Sequence, residues 1–363
     1  MASTSSPECD IIIPIWNQPA LTARCLEATL ATVGQGVRLI LIDNGSESAT
    51  REVLAGHRAR APQRITVLRN EQNLGFIKAV NQGIRASSAA SVCLLNNDTV
   101  PTAGWLAEML AITTGDPTIG LVNPSSNTLG YCPPNDSPEA IVQYARSLEA
   151  QRGQTREMSQ GIGFCLLITR AVLNRIGLFD EAYGMGDFED ADFSKRALAS
   201  GFRCVQAVAA YVYHEEKASF KHQRDWKRAF AENQRTFYAR WGRPLRILWE
   251  DHRPQHGPEP AGMLPELLRH GHTLVHSTAN GALGAEVRRF TAVASLTAPG
   301  AWRPACAWYV LARRKKPVDL VVTHDPALAR WLTRLAPLHR ATILLTPTPH
   351  DLETTCRRLS RSP

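Results

Sequence analysis

The stretch Val92-Cys93-Leu94-Leu95-Asn96-Asn97-Asp98-Thr99 is an apolar run that ends abruptly in two carboxamides and a carboxylate. A short apolar run bounded by polar sequence reads as a buried parallel strand. Ligands of open α/β sheets gather beyond the carboxyl ends of such strands, so Asp98 is expected at the mouth of a site. A hard divalent cation takes oxygen ligands, and a carboxylate beside substrate phosphates is the usual way a protein holds Mg²⁺ or Mn²⁺. Read alone, Asn97-Asp98-Thr99 is first a polar turn capping the next helix. The rest of the chain turns the reading toward a site.

Working outward, the same strand-then-polar-tip pattern recurs on the N-terminal side. Cys9 to Ile15 is an apolar strand closed by Trp16-Asn17-Gln18-Pro19, and Val37 to Ile42 is a second one ending in Asp43-Asn44-Gly45-Ser46. Helix spacing over 20–32, 48–60 and 74–86 alternates with these strands and with another at Ile65 to Leu68, which predicts a parallel sheet wound with helices. A carboxylate at a strand tip, as at Asp43, can accept hydrogen bonds from a nucleoside or serve as an Asx turn. Asn73-Leu74-Gly75-Phe76 places a glycine at a tight turn and Lys78 one helical turn on, which suits an anionic ligand as well as a plain helix start.

On the C-terminal side, Asn123 to Asp136 is rich in turn formers and is expected to be a mobile loop beside the site. Gly161 and Gly163 precede a strand and permit close approach of backbone to a ligand, although a bulge would need them equally. The densest stretch is LFDEAYGMGDFEDADFSKR, Leu178 to Arg196, where Asp187, Glu189, Asp190 and Asp192 crowd the start of a helix. Acidic residues in a first turn favour the helix dipole, but four exceed what a cap requires, and mutual repulsion raises carboxyl pKa values in the manner of a general base. Strands at Cys204 to Val208 and Tyr211 to Tyr213 lead to His214, which could complete a metal site with Asp98 or be an ordinary buried histidine.

Composition bounds the reading. The 363 residues are 44% hydrophobic and 20% charged, a globular chain with room for two or three domains. Eight cysteines without a CxxC pair indicate neither a zinc site nor a disulfide framework, and a reducing cytosol is expected. The small, polar start resembles no signal peptide, and no apolar run is long enough to span a bilayer. A net charge of +8 suits lipid, nucleic acid or phosphorylated partners without choosing among them.

Taken together, IIIPIWNQ (11–18), LIDNGS (41–46), NLGFIKAVNQGI (73–84), LLNNDT (94–99), GIGFCLLITRAVLNRIGLFDEAYG (161–184), FEDADFSKRALASGF (188–202) and VYHEEKASF (212–220) resemble, in order and spacing, the inverting glycosyltransferases of family 2. The resemblance implies the GT-A fold, a Rossmann-like, mostly parallel sheet with helices on both faces. It also implies a nucleotide-diphosphate sugar donor, a hydroxyl acceptor on a glycan, lipid-linked sugar or protein, and Mg²⁺ or Mn²⁺. By that likeness Pro14, Trp16, Asn17, Asp43 and Asn44 hold the nucleoside, and Lys78, Asn96, Asn97, Asp98 and Gly163 belong to the donor site. Asp98 and His214 are the implied metal ligands. Asp190, with Glu189 second, is the implied acceptor-side base. Where the family commonly has Asp-x-Asp, this chain has Asn96-Asn97-Asp98, so Asn96 offers only a neutral ligand or a bridging hydrogen bond.

Lys217 to Trp249 interleaves aromatics with Lys and Arg. Helical spacing favours a helix packed on the catalytic domain over a nucleic-acid surface, and its basic face also suits peripheral contact with membrane lipid. Arg253 to Gly262 reads as a linker or boundary loop, and the expected division is 1–242 and 243–363. Beyond it, strands at 245–249, 273–276, 318–323 and 341–346 with helices at 263–270 and 327–335 describe a smaller α/β domain. GHTLV (271–275) is similar to the N-terminal half of a GT-B glycosyltransferase, without an evident nucleotide site. The expected protein is thus a cytoplasmic or membrane-peripheral glycosyltransferase of surface-glycan assembly. A silent sugar- or nucleotide-binding scaffold and a sugar nucleotidyltransferase are the rival readings; IPIWNQPAL lacks the glycine-rich basic loop of the latter.

Overall fold

The computed structural model describes residues 7–215, 226–252, 262–278, 285–298, 300–313 and 316–361. Most of the expected linker at 253–262, and residues 216–225 of the basic stretch, lie outside them. The chain divides into two compact units, residues 1–156 with 160–234, and residues 157–159 with 235–363. No helix among the described residues is long and apolar enough to cross a membrane.

The first unit runs β1 (Cys9–Ile15), α1 (Pro19–Thr32), β2 (Val37–Asn44), α2 (Ser48–Arg60), β3 (Ile65–Asn70), α3 (Phe76–Ala86), β4 (Ser91–Leu95), β5 (Thr99–Pro101), α4 (Trp105–Gly115), β6 (Ile119–Ser125), α5 (Pro138–Ser147), β7 (Thr155–Glu157), β8 (Cys165–Thr169), α6 (Arg170–Ile176), α7 (Glu189–Ala199) and β9 (Arg203–His214), and then enters α8 (Trp226–Trp241). Its strands lie in the order β3-β2-β1-β4-β8-β6-β9-β5, with β7 beside β9. The pairs β3–β2–β1–β4 and β6–β9 are parallel, as the strand–helix rhythm dictates. β8 is antiparallel to both its neighbours, and that reversal shapes the site.

β1 is apolar on both sides because both sides are covered. Ile11, Ile13 and Ile15 join Cys25, Leu26, Trp105 and Met109 of α1 and α4 in one core. Ile12 faces α3 so closely that a Cβ on Gly83 would fall 2.5 Å from its Cγ2. Pro14 has no N–H for a ladder, and the β1–β4 pairing stops at Ile12↔Leu94, before it. The two strands expected at 204–208 and 211–213 form one strand, β9. Its ladder with β6 skips from Pro124↔Ala207 to Ser125↔Tyr211, and this irregularity is what interrupts the alternation in the sequence.

The second unit is β10 (Arg246–Asp251), α9 (Met263–Arg269), β11 (Thr273–Thr278), α10 (Ala285–Arg288), β12 (Val293–Leu296), α11 (Trp302–Ala312), β13 (Leu320–Thr323), α12 (Pro326–Arg334), β14 (Thr342–Leu345) and α13 (Pro349–Ser360). All five strands are parallel, in the order β12-β11-β10-β13-β14. Ile247, Trp249 and Leu274 pack with α9 and α13 on one face. Leu248, Val275 and Val321 pack with α11 and α12 on the other. β12, α10, α11 and α13 have no counterpart among the elements expected from the sequence.

Candidate active site

Because β8 runs antiparallel to β4, with Leu95 opposite Cys165, the residues that lead into β8 arrive beside the polar tip of β4. There the Asn96 N–H donates to the Phe164 carbonyl at 2.7 Å. Two groups contact this junction. In the first, β5 pairs with the end of β9, Thr99 opposite His214, and the His214 Nε2 lies 3.2 Å from an Asp98 carboxylate oxygen. Asp98 is buried at 7% exposure, and the His214 ring stacks on Phe164 with centroids 5.0 Å apart. In the second, the Gly163 N–H donates to Asp190 at 3.1 Å.

The loop before β8 is fixed by Asn123, whose amide donates to the Ile162 and Cys165 carbonyls and accepts from the Ile162 N–H. The Ser194 hydroxyl receives the Gly161 N–H from the same loop. Opposite, Asn127 clamps His214 by both backbone groups at 2.8 Å. The turn-rich loop 123–136 is therefore beside the site, as its composition suggests, but held at Asn127. Asn123, Asn127 and Phe164 were missed in the sequence, since amides in turns and one aromatic among many carry no signal of their own.

Asp190 and Glu189 open α7. Asp190 accepts from the Gly163 N–H and from the Ala191 N–H at 2.7 Å. Burial pushes its carboxyl above the ordinary aspartate range, and those N–H groups offset only part of the effect. Glu189 is 6% exposed, and among the described residues its Oε2 has no hydrogen-bond partner. Burial, then the neighbouring Asp190 and Asp187, pushes it well above the glutamate range. The other two carboxylates of the cluster are structural: Asp192 pairs with Arg196 at 2.8 Å, and Asp187 accepts from the Trp226 indole N–H at 2.8 Å.

The β1 and β2 tips meet through Ser46, whose hydroxyl accepts from the Asn17 N–H and donates to the Ile15 carbonyl. Asn17 and Gln18 both take left-handed backbone, turning the chain sharply under Trp16, which is 40% exposed. Asp43 is buried, receiving the Ser46 N–H and an ion pair from Arg69. Asn44 bonds Asn70, Asn73, Leu74 and Gly75 and thereby shapes the turn into α3. Lys78 is exposed on α3, and Asn97 donates to the Thr22 hydroxyl at 2.9 Å. The Asp43 carboxylate thus takes part in the turn at the β2 tip.

Asp98 and His214 supply one carboxylate and one imidazole, and among the described residues no third Asp, Glu, His or Cys joins them. That donor set fits Mg²⁺ or Mn²⁺, which fill their remaining positions with phosphate oxygens and water.

Residues 10–177 match the model of Glycosyl transferase family 2. The chain is 26% identical over 253 residues to the pre-mycofactocin glycosyltransferase of Mycobacterium tuberculosis, covering 68% of this chain and 49% of that protein. It is 24% identical to the succinoglycan biosynthesis protein ExoO of Rhizobium meliloti, over 59% of this chain and 62% of that one. The chain thus spans less than two thirds of either relative. In fold it is similar to the mannosyltransferase PcManGT from Pyrobaculum calidifontis, solved with GDP-Man and Mn²⁺, at a TM-score of 0.51 and 16% identity, covering 98% of this chain and 85% of that one.

Proposed function

We propose that the protein, whose residues 10–177 match the Glycosyl transferase family 2 model, moves a sugar, with inversion, from a nucleoside-diphosphate donor to a hydroxyl acceptor. The observation that supports this reading is the Gly163-Phe164 junction, where Gly163 holds Asp190 and the next residue stacks on the histidine of the Asp98–His214 pair. Inversion calls for a base near the acceptor and a cation near the diphosphate, because the acceptor attacks the anomeric carbon from the face opposite the departing group.

Asp190 accepts the proton of the attacking hydroxyl. Its raised pKa strengthens it as a base, and such assistance typically contributes about 10²–10⁴-fold in rate. The Gly163 and Ala191 N–H groups aim the carboxylate. Asp98 and His214 would hold a divalent cation, which when bound would stabilise the charge gathering on the leaving diphosphate. Trp16 offers an exposed ring at the β1 tip for the base of the nucleotide. The acceptor is a hydroxyl of a glycan, lipid-linked sugar or protein, and the ExoO likeness supports polysaccharide assembly. A lipid-linked acceptor would bring the protein to the cytoplasmic face of the membrane.

Calorimetric titration of UDP, GDP and dTDP, each with and without Mn²⁺, into the wild type and Asp98→Ala tests the donor side. The expected result is one nucleotide that binds only with metal and no longer binds the variant. Three nucleotides without binding would favour the scaffold reading instead.

A further inference from the structure

We propose that the carboxyl ends of β10 and β11 in the second unit bind adjacent hydroxyls of a sugar, recognised by Asp251, His276 and Thr278. The site stands apart from the transfer chemistry and does not depend on it.

The two faces of this sheet end differently. Toward α11 and α12 the polar tips close on one another. The Glu250 carboxylate accepts from the His252 N–H at 2.8 Å, the Thr323 hydroxyl at 2.6 Å and the His324 N–H at 3.1 Å. The His252 ring reaches the Ser277 hydroxyl at 2.8 Å and stacks on Trp302 at 4.3 Å. Alternation puts Asp251, His276 and Thr278 on the opposite face, the one that carries Trp249 and Leu274. Among the described residues nothing closes there: His276 is 6% exposed and neither of its ring nitrogens has a hydrogen-bond partner among them, nor has the buried Thr278 hydroxyl. Asp251 stands opposite Thr278 in the ladder, and one of its carboxylate oxygens lies 3.9 Å from the His276 Nε2. Buried polar atoms without partners work against folding, so three of them around one carboxylate mark a place where a ligand supplies the bonds.

The position is one that parallel sheets use for ligands. β11 and β12 lie to one side of β10, β13 and β14 to the other, so Asp251 at the carboxyl end of β10 borders that change of direction, and His276 and Thr278 stand at the end of the next strand, β11. Their chemistry narrows the ligand. Asp251 repels an anion. A metal ion would find two donors, and among the described residues no third Asp, Glu, His or Cys completes a set. Burial lowers the His276 pKa, so the neutral ring offers one donor and one acceptor. A carboxylate, a hydroxyl and a neutral imidazole match an uncharged ligand whose neighbouring hydroxyls each donate and accept. A pyranose and the ribose of a nucleoside both carry such a pair.

The test uses the full chain labelled with ¹⁵N-histidine, the His276 ring signal being assigned with His276→Gln. Methyl α-mannoside, methyl β-glucoside, methyl β-galactoside, uridine, 2′-deoxyuridine, inorganic phosphate and Zn²⁺ are titrated separately. The expected result is a saturable His276 shift with a glycoside or with uridine, weakened at least tenfold in both Asp251→Ala and the near-isosteric Thr278→Val. A glycoside response identifies a glycan, and a uridine response without a deoxyuridine one identifies ribose. The proposal is overturned if nothing shifts His276, if deoxyuridine alone among the sugars acts or matches uridine, or if phosphate or Zn²⁺ alone acts.

Discussion

Glu189 and Asp190 are neighbours in sequence with unlike surroundings. Asp190 has two N–H donors that aim it and keep it ionisable, while Glu189 leaves a buried oxygen without a partner among the described residues. Both pKa values are raised by burial, so the folded state holds more protons than the unfolded one as pH climbs through the carboxylate range. Stability from this source is therefore full below the ordinary carboxyl values and is lost as pH rises through the raised folded ones. Glu189→Gln should flatten part of that decline in Tm between pH 5 and 8, and at pH 8 should raise Tm by roughly 2–4 °C for each ~1 kcal/mol recovered. Thermal unfolding of variant and wild type across that range checks it; a steeper decline in the variant would contradict the assignment. At this scale the sequence was informative about Asp98, His214, Asp190 and Glu189, because carboxylates at strand tips and helix starts are conspicuous. It left open whether Asp43 faces a ligand or a turn, since its partner Arg69 comes from a strand 26 residues away.

The loop 183–188 positions the acidic pair, and α8 holds it. Gly184, Gly186, Asp187 and Phe188 all have positive φ, a run that two non-glycine residues would not keep unaided. Asn233 donates to the Tyr183 carbonyl at 2.8 Å and the Gly186 carbonyl at 2.7 Å, and Phe230 packs against Phe188. Asn233→Ala should cost about 1–3 kcal/mol, the usual toll of stranding buried carbonyls. It should also speed hydrogen–deuterium exchange over 184–190 and lower kcat/KM with donor affinity unchanged; unaltered exchange would refute the clamp. The helix itself was legible from its aromatic and basic spacing, but not its partner. Likewise the reversal of β8 leaves no mark on a strand buried on both faces, although it decides which tips meet. α13 did carry a usable signal, the Thr348–Asp351 capping box.

Across the whole chain, strong strand–helix alternation made the first sheet legible, whereas β12, half exposed and four residues long, gave no periodicity to read. Close packing of helix on sheet constrains the first unit throughout. A Cβ at Gly83 would fall 2.5 Å from the Ile12 Cγ2, so overpacking of about 1–3 kcal/mol should outweigh the ~1 kcal/mol that alanine gains in helix propensity. Gly83→Ala is expected to lower the denaturant midpoint with the m-value unchanged, and a raised midpoint would count against this packing. The packed frame holds both Asp190 and the Asp98–His214 pair against one backbone junction, Gly163-Phe164. The decisive measurement is nucleoside-diphosphate release from sugar donors that carry the nucleotide calorimetry selects, compared between the wild type and Asp190→Asn. The account predicts a fall in kcat of about 10²–10⁴-fold with donor affinity preserved. An Asp190→Asn enzyme as active as the wild type would contradict it.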